Sequence, residues 1–305
     1  MTVAPAELFD PAFVRSLEAL QILARSVPAG GRHAEQRSRA RGAGQEFTDM
    51  RPYVAGDDFR AVDWHVYQRL DKVFVRLFLQ DEDLPVYFLL DQSASMARGP
   101  GGSAPAAAPD RSTVARRAVA ALAYVSLHQM DRVSVHPFAG EALRGMPATS
   151  GKNSFQRLLA YLASLPASGT TGLAEAIRSF AARRFRRGLC VLLTDGFDPA
   201  GSAAVADAIR LLPHRTLLLR PVHRGEDRPV HLLGEVRAVD CEGSGSLELS
   251  IDEALLDRHQ AAYREFTEAI AGAARARGGG YLELFSDTPV VPQLAKLFQY
   301  GVMQA

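Results

Sequence analysis

Two apolar runs in this chain end in aspartate: LPVYFLLD closes on Asp91, and GLCVLLTD closes on Asp195. A short continuous apolar run has the pattern of a strand buried on both faces. A carboxylate at the end of such a strand needs a partner or a metal. Asp91 is followed at intervals of two by Ser93 and Ser95, giving D-x-S-x-S. A third hydroxyl source, Thr170-Thr171, falls in a loop at a helix start. Two carboxylates and three hydroxyls make an all-oxygen donor set, and hard oxygen donors in octahedral arrangement suit Mg²⁺ or Mn²⁺. The plainer alternatives are a hydroxyl-capped turn for Asp91, Ser93 and Ser95, and an arginine-paired structural acid for Asp195. Asp198 precedes Pro199 and reads as a helix N-cap rather than a ligand.

These residues need a scaffold that brings strand ends together. From residue 84 onward, apolar strand runs alternate with helical stripes. The strands are LPVYFLLD, RVSVHPFA, GLCVLLTD, RTLLLRPV and GGYLELFS. The helices between them include one with Val114, Ala118, Leu122 and Val125 in a stripe, then FQRLLAYLASL and TGLAEAIRSFAARRF. A further helix runs from Asp198-Pro199 to about 212, and a long one carries Leu256, His259, Tyr263, Phe266 and Ile270. The last spans 290 to 299. ALRGMPAT reads as a short edge strand, and VRAVD with SLELSI as a hairpin around Gly243 and Gly245. Strand-helix alternation implies a doubly wound, mostly parallel sheet covered on both faces, with sites at the carboxyl ends of its strands.

Residues 1–83 read as a separate N-terminal part, and 84–305 as the α/β domain. Asp10-Pro11 caps a helix with Phe13, Leu17, Leu20 and Leu23 in a stripe. An arginine- and glycine-rich arm follows, with Arg32, Arg37, Arg39 and Arg41. Residues 28–83, the arm included, read as a small appended segment, partly β. In it, Asp57, Asp58, Arg60, Asp63 and Arg69 are expected to form ion pairs fastening the segment to the main domain, with Trp64 as hydrophobic anchor.

The composition excludes several classes. The chain has 305 residues, 47% hydrophobic and 23% charged, so it can bury a core without metal or disulfide staples. Its net charge of +1 argues against a nucleic-acid coat. The arginine arm lacks interleaved aromatics for base stacking. Of the two cysteines, Cys190 lies in a buried strand and reads as a free thiol, which fits a reducing compartment. No signal peptide is visible, and no apolar stretch reaches the ~18 residues of a membrane helix. These features predict a soluble cytoplasmic protein without a membrane span. The histidines, including His214, His223 and His231, show no zinc-ligand spacing.

LDQSASM resembles the first motif of a von Willebrand factor A-type domain with its metal-ion-dependent adhesion site. The chain as a whole resembles the bacterial family called domain of unknown function 58, over roughly residues 30 to 300. EFTDMRPYVAGDDFRAVDWHVYQR resembles that family's signature upstream of the A-type domain, and VDCEGSGSLEL before a long helix resembles its C-terminal part. The resemblance implies a von Willebrand factor A-like fold with a metal held by Asp91, Ser93, Ser95, Thr171 and Asp195, with Thr170 as the fallback for Thr171. The serines and threonine would bind metal directly and the aspartates often through water, leaving a position for a partner's carboxylate. It also implies work beside a MoxR-type AAA+ ATPase, as adaptor or co-chaperone. One departure stands out: the loop after Met96, residues 97–109, is longer and richer in Gly, Ala and Pro than the family pattern.

Three functions compete. The first is a non-enzymatic, metal-dependent protein-binding module. The chain has no G-x-x-x-x-G-K-[ST] loop, so nucleotide hydrolysis would be the partner's. The alternative is a Mg²⁺-dependent phosphatase or phosphotransferase with Asp91 as nucleophile. Against it, Ser93 stands where aspartyl-phosphate enzymes carry a second acid, and no lysine lies near the motif. A serine hydrolase using Ser93 or Ser95 lacks the G-x-S-x-G elbow.

Overall fold

The computed structural model describes residues 8–26, 41–42, 46–79, 83–97, 109–243 and 245–299. They fall into two compact units, divided at residues 27/28 and 83/84. Helix α1 (Pro11–Ser26) is capped by Asp10 Oδ1, which accepts from Phe13 N at 2.8 Å. This helix groups with the larger unit rather than with the segment that follows it. The physical reason is its stripe: Phe13, Leu17 and Leu20 are buried and join the main apolar cluster.

The smaller unit is a three-stranded antiparallel sheet of β1 (Arg41–Gly42), β2 (Glu46–Pro52) and β3 (Phe74–Leu79), in the order β1-β3-β2. Helix α2 (Trp64–Leu70) precedes β3. Asp63 caps α2 through His65 N and Val66 N, and also accepts from Arg76 Nε at 2.7 Å. That hydrogen bond holds the Asp63 carboxyl down at about 2. Arg51 grips Asp57 with both terminal nitrogens, at 2.7 and 2.5 Å. Asp58 accepts from Arg60 N. These acids therefore bind partners within their own unit. Trp64 differs from expectation: it is 56% exposed and meets Tyr67 edge-on. It opens α2, and the buried place beside it goes to Asp63, which carries both the cap and the ion pair.

The larger unit is a seven-stranded sheet. Five strands are parallel: β4 (Pro85–Asp91), β5 (Arg132–Ala139), β8 (Leu189–Leu193), β9 (Arg215–Val222) and β12 (Gly280–Phe285). Short β6 (Glu141–Ala142) and β7 (Met146–Thr149) pair antiparallel with β5 at one edge. The helices are α3 (Arg111–His128), α4 (Phe155–Ser164), α5 (Leu173–Ala182), α6 (Gly201–Leu211), α7 (Glu253–Ala276) and α8 (Val290–Gln299). A separate antiparallel hairpin, β10 (Gly234–Val239) and β11 (Ser246–Ile251), is inserted between β9 and α7.

Side chains of a strand alternate between faces, so the continuous apolar runs require cover on both sides. Val86, Phe88 and Leu90 of β4, with Val191 and Leu193 of β8, join α1, α3, α4 and α8 in one cluster. Tyr87 and Leu89, with Cys190 and Leu192, join α5, α6 and α7 in the other. Helix α3 is buried nearly all round; its alanines 115, 118, 120, 121 and 123 let it lie close to both sheet and outer helices. Among the described residues, no helix is long and apolar enough to cross a membrane.

The strand order β12-β9-β8-β4-β5 reverses at β4: the chain leaves it first toward β5 and later fills β8 on the other side. Such a reversal opens a crevice at the carboxyl ends of the two strands that flank it, where open α/β sheets bind ligands. Those ends carry Asp91 and Asp195.

Candidate metal centre

Register places Leu89 opposite Leu192 and Leu90 opposite Leu193, so β4 and β8 deliver their acids to the same edge. Asp91 and Asp195 are buried, at 0% and 1% exposure. Asp91 Oδ1 accepts from Ser93 N at 2.9 Å, which turns the chain sharply after β4. Its Oδ2 accepts from Thr194 Oγ1 at 2.7 Å. The turn sets the hydroxyls of Ser93 and Ser95 2.9 Å apart. Asp195 Oδ1 accepts from Phe197 N at 3.2 Å, whereas Oδ2 is buried without a hydrogen-bond partner among the described residues.

Among the described residues neither carboxylate has a cation within ion-pair distance. Burial, and then the charge of Asp195, push the Asp91 carboxyl well above its ordinary range. Burial raises Asp195 too, opposed by the charge of Arg111 and by the Ser95 hydroxyl. Two adjacent buried acids with an orphaned oxygen are costly unless a cation joins them. The donor chemistry is all oxygen and fits a hard divalent ion. No three of His, Cys, Asp and Glu gather as a metal cluster among the described residues; the set pairs two carboxylates with hydroxyls instead.

The loop that carries Thr170 and Thr171 is stitched to the D-x-S-x-S turn by backbone hydrogen bonds, Ser168 N to Gln92 O at 2.8 Å and Ala94 N to Gly169 O at 2.9 Å. Gly140, with φ +67°, makes this approach possible: a Cβ there would meet Thr170 Oγ1 at 2.8 Å. Of the two threonines, Thr170 is exposed and Thr171 is buried. Both polar groups of Thr171 bond Glu242, its N–H to Oε2 at 2.6 Å and its hydroxyl to Oε1 at 2.5 Å.

Several residues that sequence reading passed over organise this edge. Gln92 donates to Asp91 O and accepts from the buried Arg116 at 2.7 and 3.2 Å, which fixes the D-x-S-x-S turn to α3. Arg111 donates to Ser95 O and pairs with Glu226. Arg220 is fully buried, donates to Asp195 O at 2.8 Å, and lies over the rings of Tyr263, Phe266 and Phe197. Asp198 acts as a cap at two places: its Oδ1 accepts from Ala200 N at 2.8 Å in the turn that leads into α6. Its Oδ2 accepts from Ala174 N, in the first turn of α5, so it ties the Thr171 loop to the Asp195 loop. Helix α6 begins later, at Gly201. Residues 28–40, most of the arginine arm, and 98–108, most of the insertion, lie outside the described residues.

The larger unit is thus a doubly wound α/β domain with an oxygen-rich, doubly acidic site at its switch point. The chain belongs to the family described as "Protein of unknown function DUF58", whose model matches residues 49–269. It is 28% identical over 286 residues to uncharacterized proteins of Mycobacterium bovis and Mycobacterium tuberculosis, covering 92% of this chain and 87% of theirs. Among solved structures it is similar to the conserved hypothetical protein BatB from Bacteroides thetaiotaomicron, with TM-score 0.44 and 18% identity over 73% of this chain and 100% of that one. It is also similar to the pilus adhesin SpaC from Lactobacillus rhamnosus GG, with TM-score 0.45 and 12% identity over 73% of this chain and 31% of that one.

Proposed function

We propose that the protein is a non-enzymatic, metal-dependent binding module of the von Willebrand factor A type, working in the cytoplasm as adaptor or co-chaperone to a MoxR-type AAA+ ATPase. The observation that carries the metal is the pair Asp91 and Asp195: adjacent, buried, unpaired with any cation among the described residues, and with Asp195 Oδ2 left without a donor. Asp91, Ser93, Ser95, Thr171 and Asp195 would hold Mg²⁺ or Mn²⁺. The bound ion supplies a positive centre for a carboxylate of the partner. The chain's own groups do the rest: Gln92 and Thr194 orient Asp91, Arg111 holds the Ser95 backbone, and Arg220 holds that of Asp195. The ATPase partnership rests on the family resemblance.

The test is thermal unfolding during Mg²⁺ and Mn²⁺ titration of wild type, Asp91→Ala and Thr171→Ala. Metal at 100 times its dissociation constant stabilises a fold by roughly 2.7 kcal/mol. Wild type should gain stability and both variants should not. Equal shifts in all three would place the metal elsewhere. For the partner, capture of the purified ATPase that survives Asp91→Ala rules out docking through the metal. Turnover of an aryl phosphate that disappears in the same variant would instead establish the phosphatase reading.

A further inference from the structure

Thr171 and Glu242 are 71 residues apart in sequence, yet they meet through both carboxylate oxygens. One N–H and one O–H of a single residue grip one carboxylate, as a receptor grips an acidic ligand. Glu242 sits at the tip of the β10–β11 hairpin, whose strands are exposed along most of their length. Val239 and Leu247 are 70% and 60% exposed, so apolar burial does little to hold this arm down. The tip is shaped locally: Asp240 Oδ1 accepts from Glu242 N at 2.9 Å, and Asp240 N donates to Gly245 O at 2.9 Å. The tip therefore presents a carboxylate to Thr171, in the loop that is bonded through Ser168 and Gly169 to the D-x-S-x-S turn.

We propose that Glu242 is an internal stand-in for a partner's carboxylate. It occupies the donors of Thr171, and a partner binds by presenting a Glu or Asp side chain that displaces the hairpin tip. The inference rests on the reading of this edge as a metal-dependent docking site. It adds the chemistry of the partner and the surface involved, which includes the hairpin. An equilibrium of this kind lowers apparent affinity by the fraction of molecules with the tip docked, and removing the competitor restores it.

The experiment compares wild type, Glu242→Gln, Glu242→Ala and the hairpin control Glu248→Gln in Mg²⁺, with N-acetyl-glutamate amide as probe and the Thr171 amide resonance as readout. Both Glu242 variants should bind the probe about tenfold tighter than wild type, while Glu248→Gln matches wild type. A second readout needs neither metal nor probe. Cys190 is fully buried and Cys241 is not, so an aromatic disulfide reports on the tip, and its reaction should quicken in the Glu242 variants. Unchanged or weaker probe binding in the Glu242 variants, in a protein that Mg²⁺ stabilises, overturns the stand-in and leaves the metal site intact. An unchanged Cys241 rate overturns it as well. If Mg²⁺ stabilises neither wild type nor variants, the docking site itself fails and the stand-in falls with it.

Discussion

Thr194 Oγ1 donates to Asp91 Oδ2 at 2.7 Å across the β4–β8 seam. The same oxygen accepts from Gly196 N at 3.0 Å, so one hydroxyl couples the first acid to the turn that carries the second. Thr194→Val keeps the shape and deletes the hydroxyl, leaving a buried carboxylate oxygen and an amide without their partner. Such a loss costs about 1–3 kcal/mol. Denaturant unfolding should show it, with Thr194→Ser recovering most of the loss. A Thr194→Val midpoint equal to wild type would mean the contact contributes nothing.

Arg116 is a buried guanidinium whose hydrogen bonds go to an amide, Gln92 Oε1, rather than to a carboxylate. Burial draws its pKa downward. Arg116→Ala leaves a cavity and reduces the donors to Gln92 Oε1 to Ser112 Oγ at 3.3 Å, and should destabilise by roughly 2–4 kcal/mol. Arg116→Met removes the same charge but fills the volume, so its cost should be smaller. Chemical denaturation ranks the two. The reverse order would show that the space vacated by the guanidinium does not accept a long apolar side chain.

The acid-ended strands are legible because burial on two faces leaves apolar runs that few other structures produce, whereas the exposed hairpin is legible from its turn glycines, Gly243 and Gly245. Asp91, Ser93 and Ser95 were legible because they repeat at short spacing. What escaped was long-range or hidden between motif letters. Gln92 and Thr194 occupy positions beside the acids where no chemistry was expected, and they act through side-chain bonds to neighbouring strands and helices. Glu242 reaches Thr171 only because the hairpin folds back over 71 residues. Arg220 lies within an apolar strand run, and nothing in RTLLLRPV announces the cage of Tyr263, Phe266 and Phe197 that accepts it. Trp64 misled because size suggests burial, whereas the polar Asp63 beside it had two partners to gain.

That exposure of Trp64 has a measurable consequence. Trp64→Ser should change stability by less than about 0.5 kcal/mol, the range of ordinary surface substitutions. Asp63→Ala, which removes a helix cap and the Arg76 partner, should lower the unfolding temperature clearly. If Trp64→Ser is the more damaging of the two, the indole anchors the protein after all.

His136 and His214 share an aromatic cluster with Tyr87 and Phe180. Burial lowers both pKa values to about 4, with Arg183 assisting at His136 and Arg277 at His214. In the unfolded chain a histidine titrates near 6.5. Between about 6.5 and 4 the unfolded state therefore binds more protons than the folded one, and stability falls as pH falls through that window. Above it both imidazoles are neutral in either state and stability is retained. Each histidine contributes up to roughly 3 kcal/mol to the fall. His136→Gln keeps a hydrogen-bonding partner for Ser134 Oγ and cannot take up the proton. Unfolding free energies measured from pH 7 to 4 should decline less steeply in His136→Gln and in His214→Phe than in wild type. Parallel curves would show that both imidazoles already protonate in the folded protein, and that the cluster admits charge.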